Sequence, residues 1–163
     1  MDKLNSGYGA VDNNLPNNSV ANENNTSEEL SFAYPVAGNI YKVFSKDTPV
    51  FSNTLNEWRI HTGLDISAAE GTEVHACEKG TVTNVYSNAS LGQTIEIYHE
   101  NGVVTKYSNL ANNVTVSKGD AVDKGELIGY IGRTSLVELA DEPHLHLEFI
   151  VDGDAVNPLD YIQ

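Results

Sequence analysis

The sequence predicts an all-β, mostly antiparallel domain, and three observations carry that prediction. Apolar residues recur in short runs, several of them alternating with polar ones, as half-buried strands require. Glycine and asparagine turn signals such as Asn101-Gly102 and Asp152-Gly153 separate those runs. No stretch sustains a 3.6-residue period long enough to argue for a long helix.

Composition narrows the class. A chain of 163 residues suits one compact domain plus an appendage, with enough core to fold without disulfides. Its formal charge of −14 excludes a surface built to neutralise rows of phosphates, so no nucleic acid is expected as a partner. The single cysteine, Cys77, has no partner for an internal disulfide and reads as a small buried hydrophobe. No apolar run is long enough for a signal peptide or a membrane span. Residues 1–31 are Asn-rich and poor in aromatic and β-branched residues, a composition expected of a flexible tether, and the domain proper is expected over 32–163.

In chain order, Ala33-Tyr34-Pro35-Val36 is expected to be a short edge strand, since Pro35 cannot donate to a ladder. Residues 37–60 scatter Tyr41, Val43, Phe44, Val50, Phe51, Leu55 and Trp58 without a clean period, so a long loop packed on the body is expected, with Trp58 as its packing anchor. Strands then follow at 72–77, 80–86 and 93–99, the last with Ile95 and Ile97 set against Thr94, Glu96 and Tyr98. Asn101-Gly102 predicts a type I′ hairpin that returns residues 103–107 antiparallel to 93–99. Two further glycine turns, at Gly119 and Gly125, precede a strand at 127–131, and Asp152-Gly153 closes a last hairpin behind the strand that begins at His144.

The chemistry concentrates in that last strand. In His144-Leu145-His146-Leu147-Glu148-Phe149 the leucines and Phe149 share one face, which reads as core, while His144, His146 and Glu148 share the other as a polar groove floor. Upstream, His61-Thr62-Gly63-Leu64-Asp65 offers an imidazole and a carboxylate that complete a His/Asp/His set of the kind zinc accepts with one position left over. A straight strand would hold His61 and Asp65 about 13 Å apart. Both reach one ion only if the backbone bends between them, and Gly63 permits the bend. An iron site of two histidines and one carboxylate fits the ligand count too, but usually spaces its first two ligands more closely. His75 faces solvent or the groove on this reading, and His99 is expected at the surface.

With these residues assembled, residues 34–162 resemble the catalytic domain of lysostaphin/LytM-type zinc metallopeptidases. The corresponding segments are His61-Thr62-Gly63-Leu64-Asp65-Ile66, Gly71-Thr72-Glu73-Val74, Glu78-Lys79-Gly80-Thr81-Val82, the run from Gly119 to Glu126, and Pro143-His144-Leu145-His146-Leu147-Glu148. The resemblance implies a grooved β-sheet core, zinc (Zn) held by His61, Asp65 and His146, and His144 as a catalytic histidine beside it. In such enzymes the metal activates water and polarises the scissile carbonyl, two histidines that are not ligands manage protons and the oxyanion, and the substrates are peptide links of bacterial peptidoglycan.

Two departures stand out. The family's Tyr-x-His-Leu is Tyr107-Ser108-Asn109-Leu110 here, so Asn109 holds the second catalytic histidine's place. A carboxamide donates a hydrogen bond but carries no charge and exchanges no proton near neutral pH. Loss of one such stabiliser lowers turnover by about 10²- to 10³-fold. Before Pro143, the usual Gly/Ser/Thr-rich loop is replaced by Leu136, Val137 and Leu139 with the acids Glu138, Asp141 and Glu142, expected to line or overhang the groove. Glu142 and His75 are the first candidates to stand in for the missing imidazole.

Within the family, Thr54-Leu55-Asn56-Glu57-Trp58-Arg59 running into His61 looks most like the stage II sporulation protein Q group. That narrower resemblance implies the outer domain of a single-pass forespore-membrane protein, meeting stage III sporulation protein AH across the intermembrane space by strand pairing at a sheet edge during engulfment. An active cell-wall endopeptidase is the competing reading. A third, a biotinyl or lipoyl carrier suggested by Lys118-Gly119-Asp120 and Lys124-Gly125-Glu126, lacks a lysine at a hairpin tip between matching strands.

Overall fold

The computed structural model describes residues 31–163, so most of the Asn-rich segment expected to be a tether lies outside the described residues. The main sheet runs β1 (Asn39–Lys42), β4 (Leu64–Ser67), β11 (His144–Val151), β8 (Val103–Leu110), β7 (Gly92–Tyr98), β6 (Gly80–Asn88), β9 (Ala121–Val122), with β12 (Asp154–Val156) also pairing β11. Two small sheets flank it: β2 (Ser45–Ser52) with β3 (Glu57–His61), and β5 (Glu73–His75) with β10 (Leu127–Tyr130). Every ladder among these strands is antiparallel, as the turn spacing predicts. Among the described residues the helical content is two single 3₁₀ turns, η1 (Leu136–Glu138) and η2 (Pro158–Asp160), and none of their helices is long and apolar enough to cross a membrane.

β11 sits at the centre of this arrangement because both of its faces are buried. Leu145, Leu147 and Phe149 are fully enclosed in the core with Leu64, Ile66, Ile95, Ile97 and Tyr107, each large apolar side chain contributing about 1.5–3 kcal/mol by leaving water. On the other face His144, His146 and Glu148 are also buried, at 0%, 5% and 7% exposure, beneath β1, the β2–β3 hairpin and the segment 133–142. Register puts His146 opposite Asp65 on β4 and opposite Ser108 on β8.

Several sequence expectations are corrected. Residues 33–36 form no strand: Phe32 makes an isolated bridge to Ile162, and the segment is tied to residues 75–77 by Ala33 N to Cys77 O and His75 N to Pro35 O. Residues 37–60 are three strands, not a loop. Their side chains lie mostly in solvent, so there was no core-facing alternation to read. Trp58 is 70% exposed and is no part of the buried core; its ring meets Phe51 across the hairpin, ring centroids 5.5 Å apart. His99, expected at the surface, is fully buried, with Nδ1 against Lys79 O at 2.7 Å and Nε2 against Thr105 Oγ1 at 2.8 Å.

The hairpin at Asn101-Gly102 exists, but only Gly102 has positive φ (84°), and the turn closes by Gly102 N donating to His99 O. The turn with two left-handed residues is Asp152-Gly153, with φ of 52° and 88°, joining Val151 directly to its partner Asp154. Cys77 is buried, as expected.

Candidate metal centre

Three elements converge on the polar face of β11. β3 ends at His61, the chain breaks over Thr62-Gly63, and β4 then carries Asp65 beside His146. The bend expected at Gly63 is present, since His61 Nε2 lies 3.1 Å from Asp65 Oδ1. The reason for glycine is space, not a left-handed backbone: a Cβ there would sit 2.6 Å from His146 Cε1, 2.8 Å from His146 Nε2 and 2.8 Å from Leu147 O. The third element was not foreseen in this role. Glu138, last residue of η1, brings its carboxylate into the group, so that one donor atom from each of His61, Asp65, Glu138 and His146 lies within 4.8 Å of the others.

The donor chemistry fits a zinc ion. His61 Nδ1 lies 2.8 Å from the carbonyl of Val43, which only accepts, so Nδ1 carries a proton and Nε2 is the nitrogen turned toward Asp65 Oδ1. A metal ion could take the place of the proton between that nitrogen and the carboxylate oxygen. His146 likewise sets Nδ1 2.7 Å from Asp65 Oδ1 and Nε2 3.4 Å from Glu148 Oε1. A carboxylate behind the ring fixes a ligand imidazole's tautomer and raises its basicity. Glu148 is itself held by Thr62 Oγ1 and by Lys106 Nζ at 3.1 Å. Tetrahedral zinc with bonds of 2.0–2.1 Å spaces its ligand atoms about 3.3 Å apart, close to these separations. Two buried atoms near the group have no hydrogen-bond partner, Asp65 Oδ2 and His144 Nε2.

Protonation follows the same geometry. Burial alone would lower the pKa of His146, but hydrogen bonds to Asp65 and Glu148 and the charges of Asp65 and Glu138 outweigh it and raise it to about 10. Burial likewise opposes ionisation of Asp65, yet the hydrogen bonds from His146 and His61 hold it well below the usual carboxylate range. Glu148 is lowered to about 2, against the effect of burial, by His146, Thr62 and Lys106. Lys42, reaching in from β1, stands 3.4 Å from Asp65 Oδ2 and 3.1 Å from Asp141 Oδ2, a half-buried cation that no sequence motif marks.

The residues expected to do chemistry fare differently. His144 is oriented by Nδ1 donating to Glu142 O at 2.7 Å, leaving Nε2 3.4 Å from Glu138 Oε2 and 3.9 Å from Asp65 Oδ2. Burial pulls its pKa down, but Glu138 and Asp65 prevail and raise it. Asn109 is 3% exposed and its carboxamide is fully committed: Nδ2 donates to His144 O at 3.1 Å and Oδ1 accepts from Ser135 N at 3.0 Å. Its φ of +62° suits asparagine, one of the few residue types that enter the left-handed region readily. Neither stand-in candidate meets the group with its side chain: His75 pairs with Glu73 on β5, and Glu142 offers only its backbone carbonyl. The signal that could have singled out Glu138 was an acid between Val137 and Leu139 just ahead of Pro143-His144.

Residues 59–158 match the sequence pattern of peptidase family M23. The chain belongs to that family. Peptidases of the M23 family are zinc-dependent, so the resemblance read from the motifs and the donor set agree. The M23 chain is 38% identical over 105 residues, 64% of its length, to the DD-carboxypeptidase/endopeptidase Mpg of Neisseria meningitidis, and covers 23% of that protein. It is 32% identical over 109 residues, 66% of its length, to stage II sporulation protein Q of Bacillus subtilis, and covers 38% of that protein. It thus spans well under half of either curated relative. Among solved structures, that of the SpoIIQ-SpoIIIAH pore forming complex superposes with a TM-score of 0.72 at 26% identity, covering 83% of this chain and 92% of that one.

Proposed function

We propose that this chain is a zinc-binding, catalytically impaired M23 domain that serves as a protein-binding module between forespore and mother cell. On this reading it is the extracytoplasmic part of a single-pass forespore-membrane protein, and its partner is a SpoIIIAH-like domain joined by strand pairing. The observation that carries the reading is the superposition on nearly the whole of a chain from the SpoIIQ-SpoIIIAH complex. The β2–β3 hairpin adds physical support. Its two-stranded sheet pairs with no other sheet among the described residues, and Phe51, Trp58 and Ile60 stand 40%, 70% and 57% exposed on it. Edge backbone groups give strand addition its affinity, and exposed aromatics beside them give it anchors.

His61, Asp65 and His146 would hold the zinc, whose Lewis acidity would polarise a carbonyl and activate water when bound. His144 Nε2, 3.4 Å from Glu138 Oε2 and 3.9 Å from Asp65 Oδ2, is the nitrogen that would take or give a proton. Asn109 cannot be its counterpart in proton exchange, because a carboxamide does not titrate near neutral pH, and its Nδ2 and Oδ1 already bond His144 O and Ser135 N. Proton transfer to a leaving amine therefore lacks its second group.

The unpartnered His144 Nε2 beside an intact donor set favours the alternative, an active zinc endopeptidase cleaving peptidoglycan peptide cross-links. One pair of measurements separates the two: size-exclusion chromatography with the outer domain of SpoIIIAH, and release of soluble fragments from purified peptidoglycan. A complex at micromolar concentration without fragment release supports the proposal. Zinc-dependent release without a complex overturns it.

A further inference from the structure

The segment before Pro143 turns its chemistry inside out. η1 and its flanks leave Leu136 56% and Leu139 43% exposed, while the side chain of Glu138 between them is only 14% exposed and points into the group of donors. A short acidic turn on a surface would ordinarily do the reverse. The carboxylate enters beside Asp65, itself fully buried, so two acidic side chains are gathered in one pocket. Glu138 Oε1 lies 4.0 Å from His146 Nδ1 and Oε2 lies 3.4 Å from His144 Nε2.

The segment is also fastened in place. Ser135 is held by N to Asn109 Oδ1 and by Oγ to Ser90 O, and Leu136 N donates to Ala89 O. Arg133 Nη2 caps Leu139 O, Ala140 N donates to Thr54 Oγ1, and Asp141 pairs with Lys42. The anchors come from β8, from the turn between β6 and β7, from the β2–β3 hairpin and from β1. A carboxylate delivered by so many attachments is placed, not swung in from solvent.

From this geometry we propose that Glu138 is a fourth protein ligand, which converts an open three-ligand zinc site into a closed one. The proposal rests on the zinc reading above and deepens it. Catalytic zinc sites keep three protein ligands and an exchangeable position, whereas structural sites take four from the protein. With Glu138 bound, the place where substrate and water would meet the ion belongs to the protein, and Asn109 becomes part of the mounting that keeps it there.

The test uses the whole chain, wild type, Glu138→Gln, Glu138→Ala and His61→Ala, each checked for folding by circular dichroism. Zinc affinity is measured by chelator competition. Cobalt(II) replaces zinc for absorption spectra recorded with and without added thiocyanate, which binds an open position. The expected result is zinc binding in the wild type that weakens at least about 100-fold in both Glu138 variants, more than a supporting residue usually costs. The cobalt spectrum should ignore thiocyanate in the wild type and respond to it in Glu138→Ala. If the wild type binds no zinc, or binds it equally without His61, the metal reading fails and the proposal with it. If zinc depends on His61 while both Glu138 variants match the wild type in affinity and thiocyanate response, the fourth ligand alone is overturned.

Discussion

Restoring the family's imidazole by Asn109→His should damage this protein before it helps it. The carboxamide satisfies two buried backbone groups, the Ser135 N–H and the His144 carbonyl, at 3.0 and 3.1 Å. An imidazole cannot repeat that bifunctional bridge with the same reach. Each buried group left without its partner costs about 1–3 kcal/mol, so the substitution costs about 2–6 kcal/mol. The backbone adds little, because histidine also tolerates the left-handed region. Domains of ordinary stability hold only about 5–15 kcal/mol in reserve. For a domain of this size each kcal/mol moves the melting temperature by about 3–5 °C, which gives a fall of roughly 6–30 °C. Thermal unfolding by circular dichroism measures that fall, and fragment release from peptidoglycan, expected to stay at background, measures any gain in chemistry. A variant that melts within about 2 °C of wild type and hydrolyses peptidoglycan in a zinc-dependent way would refute the reasoning.

Other consequences can be checked alongside it. Gly63→Ala forces a methyl against His146 and the Leu147 carbonyl, at a cost of about 1–3 kcal/mol, and should weaken zinc binding, whereas Gly153→Ala, with nothing within 4 Å of its Cβ, should lose stability by backbone strain alone and bind zinc normally. Equal zinc affinity in both variants would contradict the close-approach argument. In metal-stripped protein, Glu148, lowered to about 2, contributes stability above about 4.5 that is lost as pH falls through 2, and His146, raised to about 10, contributes stability below about 6.5 that is lost as pH rises through 10. Melting temperature should therefore peak between about pH 4.5 and 6.5. Zinc needs neutral imidazoles, so its added stabilisation should grow from pH 5.5 to 8.5, and a constant gap between loaded and stripped protein would count against the donor assignment. Trp58→Ala removes a side chain that is 70% exposed, so stability should change by no more than about 0.5 kcal/mol while SpoIIIAH affinity falls by about 2 kcal/mol or more, roughly 30-fold by titration calorimetry. Unchanged affinity would remove the hairpin from the interface.

How far the sequence could be read depended on which faces the core claims. β11 was legible because Leu145, Leu147 and Phe149 enter the core while His144, His146 and Glu148 do not, and period two records that division directly. β7 was legible for the same reason. β2 and β3 were not, since strands whose side chains mostly meet solvent show no alternation, and Trp58 was read as an anchor because size usually means burial. His99 was misplaced because a buried polar ring is revealed by its partners, Lys79 O and Thr105, which are 20 and 6 residues away. His61, Asp65 and His146 could be grouped from their motifs, whereas Glu138 reaches them only because Asn109, Ser90 and Thr54 fold its segment inward, contacts that no local pattern encodes. In the sequence Asn109 marks a missing imidazole; its structural work lies in two buried hydrogen bonds to residues 26 and 35 positions away.

The position of β11 has a consequence for how the molecule is made. This strand follows every strand of the main sheet except β12 in the chain, yet it lies between β4, some 80 residues earlier, and β8, some 40 residues earlier. Until it arrives, β4 and β8 present open edges to one another and the main sheet exists as two unjoined halves. Closing loops of that length delays assembly, and sheets dominated by such pairings form over about milliseconds to seconds. A chain cut between Ala140 and Pro143 would keep most of its mass and every one of its earlier strands, but it would lose the strand that joins the halves, and with it His144 and His146. Proteolytic nicking of that segment thus threatens the whole sheet at once.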